Sequence, residues 1–329
     1  MWREIKRLIN NYHSFVITTH ANPDGDGLGA AAAMVELLLQ MGKRVQFVCD
    51  SPISDKFRFL DFHNLFSTFN PLLPPEADML IVLDTHRKER IGRLGQLPFK
   101  ATCCIDHHEV TEPFTPYNAI DSKACSVGAM VYTLIKEFGH DLNFESATGI
   151  YCSIICDTGR FSYSSTNRKA HKIADECMKL GVDPDQMYAR LYQHVPLSQV
   201  RLFAQALQKM ETYYDDRILI QELRQEDCLL DGINPLDLEH LDLDYIHEFN
   251  KWIEEVECFA LLRELSDGMI RVSMRSKSDL DIGKILRKLG GGGHNKAAGA
   301  TMKGPISEVK NKILQLLKIA LSEPAAVTS

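Results

Sequence analysis

The first half of the chain is built from short apolar runs that exit into acid and imidazole clusters, and this layout restricts the fold more than any other feature. Residues 14–19, Arg44–Cys49, Met79–Leu83 and 102–105 are rich in aliphatic and β-branched side chains, and residues 27–41 between them carry an apolar helical pattern. Strands this apolar are buried on both sides, and strand–helix alternation gives a parallel sheet with helices on both faces. The predicted class is therefore α/β. In open sheets of that kind ligands bind beyond the carboxyl ends of the strands. His20, Asp24 and Asp26 follow the first run, Asp84-Thr85-His86 the third and Asp106-His107-His108 the fourth, while Asp157-Thr158-Gly159 closes a predicted helix.

Read singly, each cluster has an ordinary explanation. Asp24 and Asp26 stand in a glycine-rich turn, where Asp-Gly is common turn chemistry. Alternate residues of an extended turn can also aim two carboxylates at adjacent ions, with His20 four residues upstream. Asp84 is either a cap for the next helix or a ligand, and His86 is a surface or supporting neighbour. A lone core histidine is usually a satisfied one, but His107 and His108 in tandem after Asp106 fit an imidazole ligand beside an orienting carboxylate. Asp157 at a helix C-terminus works against the macrodipole, a cost that a nearby cation relieves. Taken together, four aspartates and two or three histidines at strand ends describe a two-metal hydrolytic centre. Four carboxylates held together repel and raise one another's pKa, and two divalent ions would balance them. Mixed oxygen and imidazole ligands suit Mn²⁺, with Co²⁺, Mg²⁺ or Zn²⁺ as further candidates.

Helical patterns continue at residues 125–138, 144–156 and 168–180, and Asp183-Pro184 opens another. Residues 197–213 read as a helical connector. The second half changes character: strands at 217–221, 256–264 and 269–275, with Ser266-Asp267-Gly268 as a hairpin turn, a helix at 279–289, the run Gly290 to Gly293 before His294, and a closing amphipathic helix, Ile306–Ser322. That is a smaller α+β domain. The boundaries expected are a metal-binding domain at 1–190, a helical linker at 191–216, a substrate-binding domain at 217–323 and a tail at 324–329. Consecutive glycines let backbone N–H groups approach a phosphate, with a flexible linker as the plain alternative. Arg271 and Arg275 share one face of a strand, and with Ser276 and Lys277 they make an anion site or a solvated surface.

The 329 residues carry a net charge of −7, with 45% hydrophobic and 25% charged residues. An acidic chain is a poor wrapper of long duplex nucleic acid, which asks for a basic stripe. No window reaches the length of a membrane span, and the start lacks the pattern of a signal peptide. Nine cysteines without a CxxC pair read as reduced core thiols of a cytoplasmic protein. Zinc ligation by Cys103, Cys104, Cys152 and Cys156 has the wrong spacing.

The acidic clusters in this order, followed by Arg275-Ser276-Lys277 and the glycine run with His294, resemble the DHH phosphoesterase family over nearly the whole chain. Within it the two-domain layout is similar to the nano-RNase and pAp-phosphatase group. The resemblance implies that His20, Asp24 and Asp84 hold one Mn²⁺, that Asp26, Asp84, His107 and Asp157 hold the other, and that Asp84 bridges. It implies His108 at the scissile phosphate, Asp106 orienting the histidines, and Arg275, Ser276, Gly292, Gly293 and His294 gripping a terminal phosphate, with Arg160 as a further phosphate contact. The activity implied is Mn-dependent hydrolysis of short oligoribonucleotides, linear dinucleotides and 3′-phosphoadenosine 5′-phosphate (pAp) by two-metal activated water. An inorganic pyrophosphatase or exopolyphosphatase-like hydrolase is the nearest alternative. A non-catalytic nucleotide sensor is the alternative from another class. Homodimer formation is left open.

Overall fold

A computed structural model describes residues 1–108, 114–230, 232–234, 243–265, 267–293 and 295–322. The chain divides into two compact units, 1–194 and 195–329. The tail at 324–329 lies outside the described residues.

In the first unit helix α1 (Arg3–Asn11) leads into β1 (Ser14–Thr18), α2 (Gly25–Gln40), β2 (Arg44–Cys49), β3 (Phe66–Thr68), β4 (Met79–Leu83), β5 (Ala101–Asp106) and β6 (Tyr117–Ile120). Helices α3 (Val127–Glu137), α4 (Phe144–Asp157), α5 (Arg168–Lys179) and α6 (Pro184–Tyr192) follow. The strands form one parallel sheet in the order β3-β2-β1-β4-β5-β6. Every residue of β1 and β4 is buried, because alternate side chains enter cores on opposite faces. Phe15, Ile17, Phe47, Ile81 and Leu83 join the helical core with α1 to α5. Val16, Val48, Leu80 and Val82 pack under the 3-10 segment Lys88–Gln96 through Ile91 and Leu94. The α-helices thus crowd one face, and the helical cover of the other is a 3-10 segment.

Helix α2 is buried almost all round, as a helix without a polar face must be. Its closest neighbour is α4. A Cβ on Gly29 would stand 2.3 Å from the carbonyl oxygen of Gly149, and one on Gly149 would stand 2.5 Å from that of Gly29. The two backbones touch because neither residue has a side chain. That crossing draws the start of α2 and the end of α4 together.

The strand order reverses between β1 and β4, which lead to opposite halves of the sheet. The crevice at such a switch point is where doubly wound sheets bind ligands. His20 leaves β1 there and Asp84 leaves β4.

The second unit holds α7 (Leu197–Gln208), β7 (Glu211–Tyr213), β8 (Ile218–Leu223), α8 (Gln225–Leu230), α9 (Asp244–Lys251), β9 (Cys258–Glu264), β10 (Met269–Ser276), α10 (Ile282–Arg287), β11 (Gly292–Gly293), β12 (Ala297–Lys303) and α11 (Ile306–Ser322). Its sheet runs β11-β12-β10-β9-β8-β7, parallel only between β8 and β9. One face packs on α10 and α11 through Val272, Met274, Leu286 and Ile313. On the other, Leu223 and Leu261 meet Leu202 and Ala206 of α7 and Ile246 of α9. The stretch 191–216, read from sequence as a linker, therefore contains a helix and a strand that belong to this unit. The helix stops at Gln208, and β7 turns into β8 through Tyr214, Asp215 and Asp216, all at positive φ. All nine cysteines are free thiols, eight of them buried. No helix among the described residues is long and apolar enough to cross a membrane.

Candidate metal centre

Asp24 caps the N-terminus of α2, its side chain accepting from the backbone N–H of Asp26 at 3.0 Å and of Gly27 at 3.2 Å. Asp26, one residue into the first turn, is 1% exposed. Its carboxylate accepts from the Val127 N–H at 2.9 and 3.0 Å, the Gly128 N–H at 3.3 Å and the Ser153 hydroxyl at 2.5 Å. It sits on the positive end of α3, where a negative charge is favoured. Asp84 is 2% exposed and has φ 59. Aspartate is among the few residues that adopt the left-handed region, at a cost of about 1–3 kcal/mol, and such outliers cluster at functional sites.

The two ligand-type histidines are oriented alike. His20 donates from Nδ1 to the carbonyl of Ala21 at 2.9 Å, and His107 donates from Nδ1 to the carbonyl of Ala124 at 3.1 Å. A carbonyl only accepts, so each ring turns Nε2 toward the carboxylates. His20 Nε2 lies 3.3 Å from Asp84 Oδ2 and 3.5 Å from Asp24 Oδ2. His107 Nε2 lies 3.4 Å from Asp26, 3.5 Å from Asp157 and 3.9 Å from Asp84 Oδ1. Two groups result, His20 with Asp24 and Asp84, and Asp26 with His107 and Asp157. Within a third, Asp84, His107 and His108 approach each other, and in every group the ligand atoms lie within 4.8 Å of one another. Two ligands bound at about 2.1 Å stand roughly 3.0 Å apart at an octahedral edge and 3.4 Å apart at a tetrahedral one. The four spacings of 3.3–3.5 Å are near those of a coordination shell and too long for good hydrogen bonds. Among the described residues the buried His107 Nε2 moreover has no hydrogen-bond partner, a lack that a bound cation would satisfy. The donor set fits a divalent metal.

The electrostatics agree. Burial, then the charges of Asp26 and Asp24, raise the Asp84 carboxyl well above its ordinary range. Burial and Asp26 push Asp157 up to about 7. Burial pulls His20 down, but Asp24 and Asp84 outweigh it and push the imidazole up to about 10. Burial likewise opposes Asp26, Asp157 and Asp84 at His107, which is pushed up to about 9. The centre draws in positive charge, as protons or as metal.

Asp106 is fully buried at the end of β5. Its Oδ1 accepts from the backbone N–H of His108 at 3.1 Å and from His108 Nδ1 at 2.7 Å, and its Oδ2 accepts from His86 Nδ1 at 2.8 Å. Burial raises the carboxyl, but the bonds from His108 and His86 outweigh it and hold Asp106 well below the usual carboxylate range. Asp106 thus orients His108 and His86, whereas the Ala124 carbonyl orients His107. Arg160, at φ 62 just beyond α4, lays its guanidinium over the Tyr192 ring at 5.1 Å. The Asp26 partners Val127, Gly128 and Ser153 were not singled out from sequence. Ser153 stands one helical turn before Asp157, a spacing that marks a shared face.

On the second unit a groove of about 730 Å³ is lined by Arg271, Ser273, Arg275 and the run Gly290 to Gly293, against residues 297–301. Gly293 has φ 135, and a Cβ there would meet the Ala297 carbonyl at 2.5 Å, so backbone forms the groove wall. Ser276 has the opposite parity on β10. It is buried, and its hydroxyl donates to the Ser278 carbonyl at 3.0 Å; Ser273 takes the groove position instead. His294 lies outside the described residues.

Residues 14–173 match the DHH family N-terminal domain, and residues 239–323 match the DHHA1 domain. The bifunctional oligoribonuclease and PAP phosphatase NrnA of Thermus thermophilus is 30% identical, over 93% of this chain and 90% of that protein. The protein of the same name from Bacillus subtilis is 28% identical over 92% and 93%. Among solved structures, an exopolyphosphatase-related protein from Bacteroides fragilis superposes with a TM-score of 0.88 at 25% identity, covering 96% of this chain and 95% of that one. With the clustered aspartates and histidines at the switch point of the first unit's sheet and the glycine-walled groove of the second unit, these matches make the chain a member of the DHH phosphoesterase family.

Proposed function

We propose that this protein hydrolyses short oligoribonucleotides and pAp with two divalent cations, Mn²⁺ foremost. The observation that carries the reading is Asp84, whose two oxygens face different histidines, Oδ2 toward His20 and Oδ1 toward His107. One carboxylate shared between two ligand sets is what a pair of adjacent ions requires. His20 and Asp24 would complete one set, and Asp26, His107 and Asp157 the other. When bound, the ions lower the pKa of a coordinated water and neutralise phosphate charge in the in-line transition state.

The chain's own groups divide the remaining work. Ser153 and the N-terminus of α3 hold the Asp26 carboxylate in place. Asp106 fixes His108 through Nδ1, so proton transfer to the leaving oxygen falls to His108 Nε2. Arg275, with Arg271 and the backbone of Gly292 and Gly293, would bind a substrate phosphate, and His294 and Arg160 would add contacts. The names of the two relatives at 28–30% identity support RNA and pAp as substrates.

The test is turnover by purified protein with Mn²⁺ on pAp, diribonucleotides, RNAs of increasing length, pyrophosphate and polyphosphate. Short RNA and pAp should be consumed, and Asp84→Ala should abolish turnover of both. Turnover of polyphosphate alone would replace this reading with the one suggested by the name of the Bacteroides fragilis protein.

A further inference from the structure

We propose that His86 is a positioning residue for His108, acting through Asp106; the inference rests on the phosphoesterase reading of this site. His86 leaves β4 two residues after Asp84, where the positive φ of Asp84 turns the chain. Asp106 ends β5, the neighbouring strand. The turn folds His86 across to that strand, and its Nδ1 meets Asp106 Oδ2 at 2.8 Å with 15% of the side chain exposed. The His86 and His108 ring centroids stay 6.5 Å apart, so the influence of His86 passes through the carboxylate.

The geometry gives that influence a definite form. Both His108 bonds fall on Oδ1. A carboxylate held at one oxygen can still swing its plane, and the imidazole would swing with it. The donor on Oδ2 removes that freedom. Among the described residues Oδ2 accepts from no other side chain. Deleting His86 leaves a buried, charged oxygen without a donor, which the carboxylate can relieve only by turning away from His108. Catalytic groups must be held close to their productive geometry, and a supporting donor of this kind is one way to hold them.

The test compares wild type, His86→Ala and His86→Asn, each with Mn²⁺ on pAp and on a diribonucleotide. The Asn side-chain N–H can occupy the place of the Nδ1–H. His86→Ala should lower kcat by about 10- to 100-fold, as loss of a supporting partner typically does, with KM and Mn²⁺ affinity by calorimetry unchanged. His86→Asn should restore most of kcat. Nitrogen-detected imidazole NMR should show the His108 Nδ1 proton exchanging faster in His86→Ala than in wild type or His86→Asn. An unchanged kcat in His86→Ala, equal impairment of Ala and Asn variants, or a loss of Mn²⁺ affinity that accounts for the lost rate would each overturn the inference. If His86→Ala fails to fold, His86→Gln replaces it, since its amide reaches too far to substitute for Nδ1. If wild type consumes neither substrate, the functional reading has failed, and the NMR comparison still decides whether His86 holds His108.

Discussion

The metal centre holds more protons folded than unfolded, and this fixes the sign of its pH dependence. His20 and His107 are pushed up from 6.5 to about 10 and 9. Their contribution to stability is complete below 6.5 and is lost as pH rises through those higher values. Asp157, raised to about 7, acts in the same sense at lower pH. In the presence of EDTA the melting temperature of the protein should therefore fall steadily from pH 6.5 upward. Mn²⁺ displaces the same protons, so its affinity should rise over that window and the saturated protein should melt at a nearly constant temperature. An EDTA melting curve that rises with pH would show that the protons sit elsewhere. Asp84→Asn follows from the same crowding. Asparagine tolerates the left-handed backbone and removes a buried charge, so the metal-free protein should gain about 0.5–2 kcal/mol by denaturant titration, while Mn²⁺ no longer stabilises it. The clustered acids and imidazoles were legible in the sequence because His20, Asp84 and His107 follow apolar strands and Asp157 closes an apolar helix. The Ala124 carbonyl on His107 and the Ser153 hydroxyl on Asp26 were not, since they depend on which helices meet.

At the scale of elements, the meeting of α2 and α4 decides whether the centre exists. The glycine pair brings Asp26 and Asp157 within reach of one histidine, although they lie on different helices. Gly149→Ala would place a methyl 2.5 Å from the Gly29 carbonyl oxygen, a backbone atom with little room to move. It should destabilise the protein by about 1–3 kcal/mol, the usual cost of overpacking, and weaken Mn²⁺ binding as well. Thermal melts and calorimetry read both, and a stable variant that has lost Mn²⁺ affinity would show that the contact governs placement more than packing. On the second sheet, strand parity puts Arg271, Ser273 and Arg275 on one face of β10. Arg271→Gln should raise KM for oligonucleotides by about tenfold, the order of one charge-assisted hydrogen bond, and raise it less for pAp. Most of the helices and strands that periodicity marked lie within a few residues of their observed ends, whereas α1, β3, β6, α8, α9 and β12 carried no pattern that was read. The end of α7 was not legible: its apolar spacing runs on into β7, and the turn that follows is built by Tyr214, Asp215 and Asp216 at positive φ without a glycine to announce it.

At the scale of the whole molecule, an acidic chain must act on an acidic substrate, and the two facts limit how it binds. The net charge is −7, so no long-range field gathers RNA along the surface. Attraction has to be local, from arginines in the groove and from cations at the centre. Salt is the direct measure of that difference, because each phosphate neutralised by a protein cation on a single strand adds about 0.7 to the slope of log affinity against log salt. Arg271 and Arg275 together predict a slope of about −1.4 for an oligonucleotide that spans both. Lengthening the RNA beyond the groove should leave the slope unchanged if the groove's arginines carry the attraction. Titrating KCl at fixed Mn²⁺ with RNAs of increasing length gives the number. A slope that steepens with every added nucleotide would mean that the protein tracks a long strand, and the short-substrate reading would have to be abandoned even if turnover were observed.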